Sequence, residues 1–258
     1  MPKDKNKVCF IISHKYFRGY KSYLKYYINN IQKFYPEALT IVVDNNSVHG
    51  DDIFDTLQGY KNIVILTNES ESKFEIGAYC EGIRYLFDNN IINKRGSRYE
   101  YYIFTQDTYI IKNKYDFKNH QDMACALHAA KQVGYQGNFM GGEVAVRLLS
   151  QLNIDDPGNC LKQAWCSSFI LHKSKVRDFL EIVGDAVLTV RRDSECGERY
   201  LSAILYSLND NKISDIDTEP IDSLYDACTI DLEEYQEGEV HYFMKSLQQK
   251  TENTKDDA

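Results

Sequence analysis

The stretch Tyr101-Tyr-Ile-Phe-Thr-Gln-Asp107-Thr-Tyr-Ile-Ile111 decides the fold. Its first four residues are aromatic or β-branched, as a buried central strand requires. The run breaks at Gln106-Asp107, and a second short apolar run follows. Asp107 is thereby delivered just past the strand's C-terminal end, the edge of an open α/β sheet where ligands collect. An Asp there either shapes a turn or offers hard oxygen ligands to a divalent cation.

Upstream, apolar runs alternate with helical spacing. Val8 to Ile12 is a short strand-like run with Ser13-His14 at its tip. Tyr20, Tyr23, Leu24, Tyr27, Ile28, Ile31 and Phe34 follow the i, i+3, i+4, i+7 spacing of an amphipathic helix, closed by Tyr35-Pro36. Leu39 to Val43 reads as a second strand running into Asp44-Asn-Asn-Ser47, a cluster of turn formers. A short helix is expected at Asp52 to Leu57, a strand at Asn62 to Leu66 and a helix from Gly77 to Phe87. A charged loop, Asn93 to Arg98, then leads into Tyr101. This β-α-β-α-β-α-β order predicts an α/β fold: a mostly parallel, Rossmann-like central sheet with helices on both faces. Right-handed crossovers put every strand tip on one edge, so Ser13, Asp44 and Asp107 are expected to converge.

Composition narrows the classes. The 258 residues are 43% hydrophobic and 26% charged, a globular balance with enough length to bury a core. A net charge of −8 argues against a nucleic-acid surface and means that an anionic ligand needs a local cation, whether metal, Lys or Arg. The seven cysteines form no C-x-x-C pair and no zinc spacing, which points to a reducing cytoplasm. His120, His128, His172 and His241 likewise form no ligand set. No signal-peptide core and no apolar run of membrane-spanning length is seen.

The second half is less regular. Asp122 to Val133 reads as helix, Gly134 to Gly142 as a glycine-rich loop, and Ala164 to Leu171 as a strand. Lys173 to Val183 is expected to be helical, and Arg191 to Arg199 to be a charged loop feeding a helix through Leu208. A polar acidic stretch, Ser214 to Asp226, precedes a helix expected from Leu232 to Leu247.

With these motifs in order, the chain resembles a GT-A fold glycosyltransferase, especially the family-2-like enzymes of surface polysaccharide synthesis. Val8 to His14 looks like the family's first strand, and Ile41-Val-Val-Asp-Asn-Asn-Ser47 like its second strand and base-binding acidic turn. Tyr102 to Asp107 falls where the D-x-D motif lies. Ser167 to His172 and Glu195 to Ser202 resemble the acceptor-side strand and the catalytic-base helix. The likeness covers roughly residues 7 to 210. It implies a single catalytic domain over 1–249, with a nucleotide-binding half at 7–111, an acceptor half at 112–210 and a C-terminal helical segment at 211–249. Residues 250–257 lack apolar side chains, and 250–258 read as a disordered tail.

The resemblance also implies roles. The donor is a nucleoside-diphosphate sugar, UDP-linked in the favoured reading, and the acceptor a hydroxyl of a glycan or glycolipid, with no nucleic-acid partner. Asp44 would accept the N3–H of uracil, a donor that suits a carboxylate. Asn46, Ser13 and His14 would flank the same pocket, and Gln106 and Asp107 the diphosphate. Asp107 matches the last acid of D-x-D and would hold Mn²⁺ or Mg²⁺, but Thr105 stands where the first acid belongs. Two arrangements therefore stay open: one acid holding the cation with phosphate and water, or Lys73, Arg84, Arg191 and Arg192 neutralising the leaving group. Gly77 would either admit the nucleotide backbone or serve helix packing. Glu198, expected to open its helix, is the candidate base for an inverting displacement, with Glu195 nearby and Asp193 as substitute. Trp165, Ser167 and Arg191 fall on the acceptor side, Trp165 as stacking platform or core residue. Gly141-Gly142 is a candidate hinge. The alternatives are a non-catalytic nucleotide- or sugar-binding module of the same fold and a nucleotidyltransferase. The latter usually needs a glycine-rich loop after the first strand, where this chain has Ser13-His-Lys-Tyr-Phe-Arg-Gly19.

Overall fold

Strands and helices alternate up to the quoted stretch. β1 (Val8–His14), α1 (Leu24–Phe34), β2 (Leu39–Asp44), α2 (Ile53–Thr56), β3 (Ile63–Thr67) and α3 (Phe74–Asp88) come first. An antiparallel pair, β4 (Ile92–Asn93) and β5 (Gly96–Ser97), leads into β6 (Tyr101–Gln106). Then follow β7 (Tyr109–Ile111), β8 (Ala124–Ala126), β9 (Ala129–Ala130), β10 (Gln163–Ala164) and β11 (Phe169–His172). α4 (Val176–Val183), α5 (Arg191–Leu208), β12 (Thr229–Ile230) and β13 (Phe243–Ser246) complete the order. The computed structural model describes residues 7–16, 22–47, 53–93, 96–111, 114–117, 121–127, 129–130, 150, 163–164, 167–184, 191–209, 229–230 and 243–246.

The central sheet has six strands in the order β3-β2-β1-β6-β11-β8. β1 lies parallel to β2 and β6, and β2 parallel to β3, whereas β11 is antiparallel to both its neighbours. The chain steps outward from β1 to β3 and then returns to β1's other side as β6. Strand order therefore reverses between β1 and β6, the switch point at which open α/β sheets form a ligand crevice.

Side-chain alternation assigns the two faces. Phe10 and Ile12 of β1 and Tyr101 and Ile103 of β6 bury with Leu24, Tyr27, Ile28 and Ile31 of α1. Cys9 and Ile11, with Tyr102 and Phe104, bury against Tyr79 and Ile83 of α3, Phe179 of α4 and Tyr200 and Ile204 of α5. α1 and α2 share the first face and α3 takes the other. That is what right-handed crossovers dictate when the direction of travel reverses. Gly82 lets α3 lie on the sheet, since a Cβ there would meet Ile11 Cγ2 at 2.6 Å.

The second half departs from expectation in four places. The alanine-rich segment after Asp122 carries strands β8 and β9, because β8 gains a backbone ladder against β11 that outweighs alanine's helix preference. The strand expected over Ala164 to Leu171 is split: β10 pairs with β9, and Ser167 turns at φ 51° before β11 joins the central sheet. The charged segment at Arg191 is already helical, so α5 begins there and Glu198 lies about two turns inside it. Within the C-terminal segment expected to be helical, Phe243–Ser246 is a strand paired with β7, satisfying an otherwise open strand edge. The charged loop before Tyr101 contains the short β4–β5 pair. Trp165, the glycine-rich 134–142 with Gly141-Gly142, the acidic 214–226 and the tail 250–258 lie outside the described residues. Among the described residues, no helix is long and apolar enough to cross a membrane.

Candidate functional site

The C-terminal tips of β1, β2 and β6 meet as the alternation predicts. Asp107 follows β6, and its backbone N–H donates to Ser13 O at 3.0 Å. Asp44 ends β2, facing His14 in the ladder. The β1 tip thus stands between the two carboxylates, and the segment leaving it is tied to both sides. His14 Nδ1 lies 2.5 Å from Asp107 Oδ2, which also accepts from the Lys15 N–H at 3.4 Å. On the β2 side, Lys15 Nζ donates to Asn45 O at 3.1 Å and the Tyr16 N–H to Ser47 Oγ at 2.8 Å.

Asp44 is half-buried and closes its own turn. Oδ2 accepts from the Ser47 N–H at 3.0 Å and Oδ1 from Ser47 Oγ at 2.5 Å. The turn role that Asp commonly plays is therefore realised. A carboxylate has about four acceptor positions, so this leaves capacity for a further donor such as a base N–H.

A buried amide ladder supports the edge, and it escaped the sequence reading. Asn45 Nδ2 donates to Ser13 Oγ at 2.8 Å and Asn68 Nδ2 donates to Asn45 Oδ1 at 2.8 Å. Asn68 Nδ2 also reaches Ser72 O at 2.8 Å, while its Oδ1 accepts from Ser70 Oγ at 2.6 Å. Asn46 at φ 56°, a conformation Asn tolerates, sends its amide to Asn68 O at 3.0 Å. Gly77 belongs to this assembly. A Cβ there would stand 2.0 Å from Ser72 O and 2.8 Å from Asn68 Nδ2, so its bareness admits the 68–72 loop. The signal that could have found Asn45 and Asn68 is their place immediately after two parallel strands.

The remaining candidates fall as follows. His14 is 1% exposed and spends Nδ1 on Asp107, so it positions that carboxylate. Gln106 donates to Glu75 Oε1 of α3 at 2.8 Å. Lys73 is exposed beside α3, its Nζ on Ser70 O at 3.1 Å. Arg84 holds Glu81 at 2.8 Å and Gly184 O at 3.0 Å, tying α3 to the end of α4. β11 runs antiparallel to β6 with Phe169 opposite Phe104, and buried Ser167 sits in the turn two residues before it. Asn209, just past α5, takes the Ala124 N–H at 2.7 Å at the start of β8. That bond fixes the C-terminal end of α5 at the start of β8; Arg191, Asp193, Glu195 and Glu198 lie on the first two turns of the same helix.

The described side chains do not assemble a site for the divalent cation that the resemblance implies. Thr105 is fully buried beneath α1, its hydroxyl 2.9 Å from that of Tyr27, and cannot stand in for the missing acid. Asp107 Oδ2 already takes two N–H donors. Among the described residues, no three His, Cys, Asp or Glu side chains group to hold a metal.

No protein-family model matches the chain, and no curated protein matches it. Among solved structures, the chain is similar to 4-diphosphocytidyl-2C-methyl-D-erythritol synthase from Anaerococcus prevotii. The identity is 15% and the TM-score 0.44, over 83% of this chain and 87% of that one. At that distance no residue role passes from one chain to the other.

Proposed function

We propose that the protein is a transferase acting on a nucleoside-diphosphate sugar, UDP-linked by preference, with a glycan or glycolipid hydroxyl as acceptor. The observation that carries this reading is the pair of carboxylates, Asp44 and Asp107, on either side of the β1 tip where strand order reverses. Asp44 reads the uracil N3–H with the acceptor capacity that Ser47 leaves. Asp107, at the crevice, faces the diphosphate end of the donor. The sugar half of the proposal rests on the sequence resemblance through Ile41 to Ser47.

Transfer needs a base for the acceptor proton as its oxygen attacks C1 and the C1–O bond to the diphosphate breaks. Glu198 is the proposed base, Glu195 and Asp193 the acids beside it on α5. The support is the resemblance of Glu195 to Ser202 to a catalytic-base helix, with all three acids on the first two turns of α5. A single base opposite the leaving group gives inversion at C1.

The test is a thermal-shift screen of nucleoside mono-, di- and triphosphates and UDP-sugars, followed by turnover of any sugar that binds. UDP and a UDP-sugar should raise the melting temperature, and Asp44→Ala should abolish the preference for uracil. Glu198→Gln should keep the shift and lose turnover. Binding without turnover assigns a non-catalytic module. A response to triphosphates alone assigns nucleotidyl transfer, and the absence of any nucleotide shift removes the proposal.

A further inference from the structure

The site carries an excess of negative charge before any ligand enters. Asp44 and Asp107 flank the β1 tip, and Glu75 lies beside Gln106 on the same edge. A diphosphate arriving there needs positive charge at short range. Asp107 offers a metal little beyond its other oxygen, because His14 and the Lys15 N–H share its Oδ2 and Thr105 faces the other way.

Of the cations expected for this task, one is tied up in an ion pair. Arg84 is bound to Glu81 and to the carbonyl of Gly184. Lys73 follows β3, the outermost strand on that side, and its ammonium rests on the Ser70 carbonyl. Lys15 is different. It is the residue immediately after β1, exposed, with its backbone fixed to the β6 side and its ammonium resting on the Asn45 carbonyl of the β2 side. Its side chain therefore reaches from the β6 side of the β1 tip to the β2 side. A neutral carbonyl is a weaker partner for an ammonium than a phosphate oxygen, so a diphosphate displaces it favourably.

We infer that Lys15, without a divalent cation, neutralises the diphosphate of the bound nucleotide. The inference rests on the proposed nucleotide site and fixes how that site meets the anion. The Tyr16 N–H bond to Ser47 and the His14–Asp107 pair hold the Lys15 backbone in place, so only the side chain has to swing.

The experiment is calorimetric titration of UDP and of uridine into the full chain, once in EDTA and once with Mn²⁺. UDP is expected to bind in EDTA, with less than about a twofold gain from Mn²⁺. Lys15→Gln should weaken UDP by on the order of tenfold to a hundredfold, the worth of one charge-assisted bond, and leave uridine unchanged. Lys15→Arg should restore most of the affinity, and Lys73→Gln should have the smaller effect. UDP binding that disappears in EDTA, or that survives Lys15→Gln unchanged, overturns the inference while keeping the nucleotide site. No binding of UDP or uridine under either condition overturns both.

Discussion

His14 Nδ1 stands 2.5 Å from Asp107 Oδ2 and joins the tips of β1 and β6 across the switch point. His14 is buried, and the Asp107 side chain is only 15% exposed, so the carboxylate depends on this partner in place of water. The pair fixes one carboxylate oxygen and with it the orientation of the whole turn.

Removing the imidazole should therefore be felt in stability. His14→Leu is expected to cost about 1.5–3 kcal/mol, the worth of a hydrogen bond to a charged group. His14→Asn should recover most of it, because the Asn Nδ2 stands where the His Nδ1 does relative to Cβ. Urea unfolding of the two variants decides the matter: equal losses in both would mean that ring packing, and not the N–H to Asp107, is responsible.

Two glycines of α3 should respond differently to alanine. At Gly77 the new Cβ meets backbone, Ser72 O at 2.0 Å, whereas at Gly82 it meets the end of the Ile11 side chain. Gly77→Ala is expected to cost about 1–3 kcal/mol or more, and Gly82→Ala less, because an Ile methyl can turn away. Reversal of that order in denaturant midpoints would contradict the packing described around the 68–72 loop.

At the opposite end of the sheet, burial lowers the pKa of His172 below its ordinary 6.5, partly offset by Asp122; Lys173 and Lys175 also lower it and Glu100 raises it. The folded state thus binds a proton there less readily than the unfolded chain. Stability from this site is complete above pH about 6.5 and declines as pH falls through the lowered folded value. The difference in melting temperature between wild type and His172→Gln, followed from pH 7.5 to 5, should move in the variant's favour as pH falls. A constant difference would remove the titration of His172 as the cause.

Burial pushes the Cys80 thiol up to about 12, and that of Cys9 well above its ordinary value. Little thiolate is then available, and alkylation requires both thiolate and access. Iodoacetamide at pH 8 should leave Cys9, Cys80 and Cys125 unmodified in the native protein and label all three in urea, as peptide mass mapping would record. Labelling of Cys80 at the unfolded-state rate would contradict its place in the core.

The half of the chain up to Asp107 was legible because each element there writes its own period. β1, β2 and β6 are apolar runs, and α1 repeats its apolar residues at helical spacing. The convergence of Ser13, Asp44 and Asp107 follows from topology alone. Past Asp107 the elements are decided by distant partners. Ala124–Ala126 has helical composition, yet β11 makes it a strand, and Phe243–Ser246 is a strand because β7 lies beside it. The place of Thr105 follows from parity. It shares strand parity with Tyr101 and Ile103, which already places it under α1 and away from the crevice. The Asn45–Asn68 ladder has no period at all, since single side-chain amides bond wherever loops bring them. Lys15, directly after Ser13 and His14, has no pattern signal of its own.

β13 has one more consequence. It zips onto β7, with Lys245 opposite Tyr109, and Tyr109 is only two positions past Asp107. These partners are far apart in sequence, and closing so long a loop is slow compared with forming the local β-α-β units. A substitution in β13, far along the chain, is placed to disturb the turn carrying Asp107 through the β7 ladder.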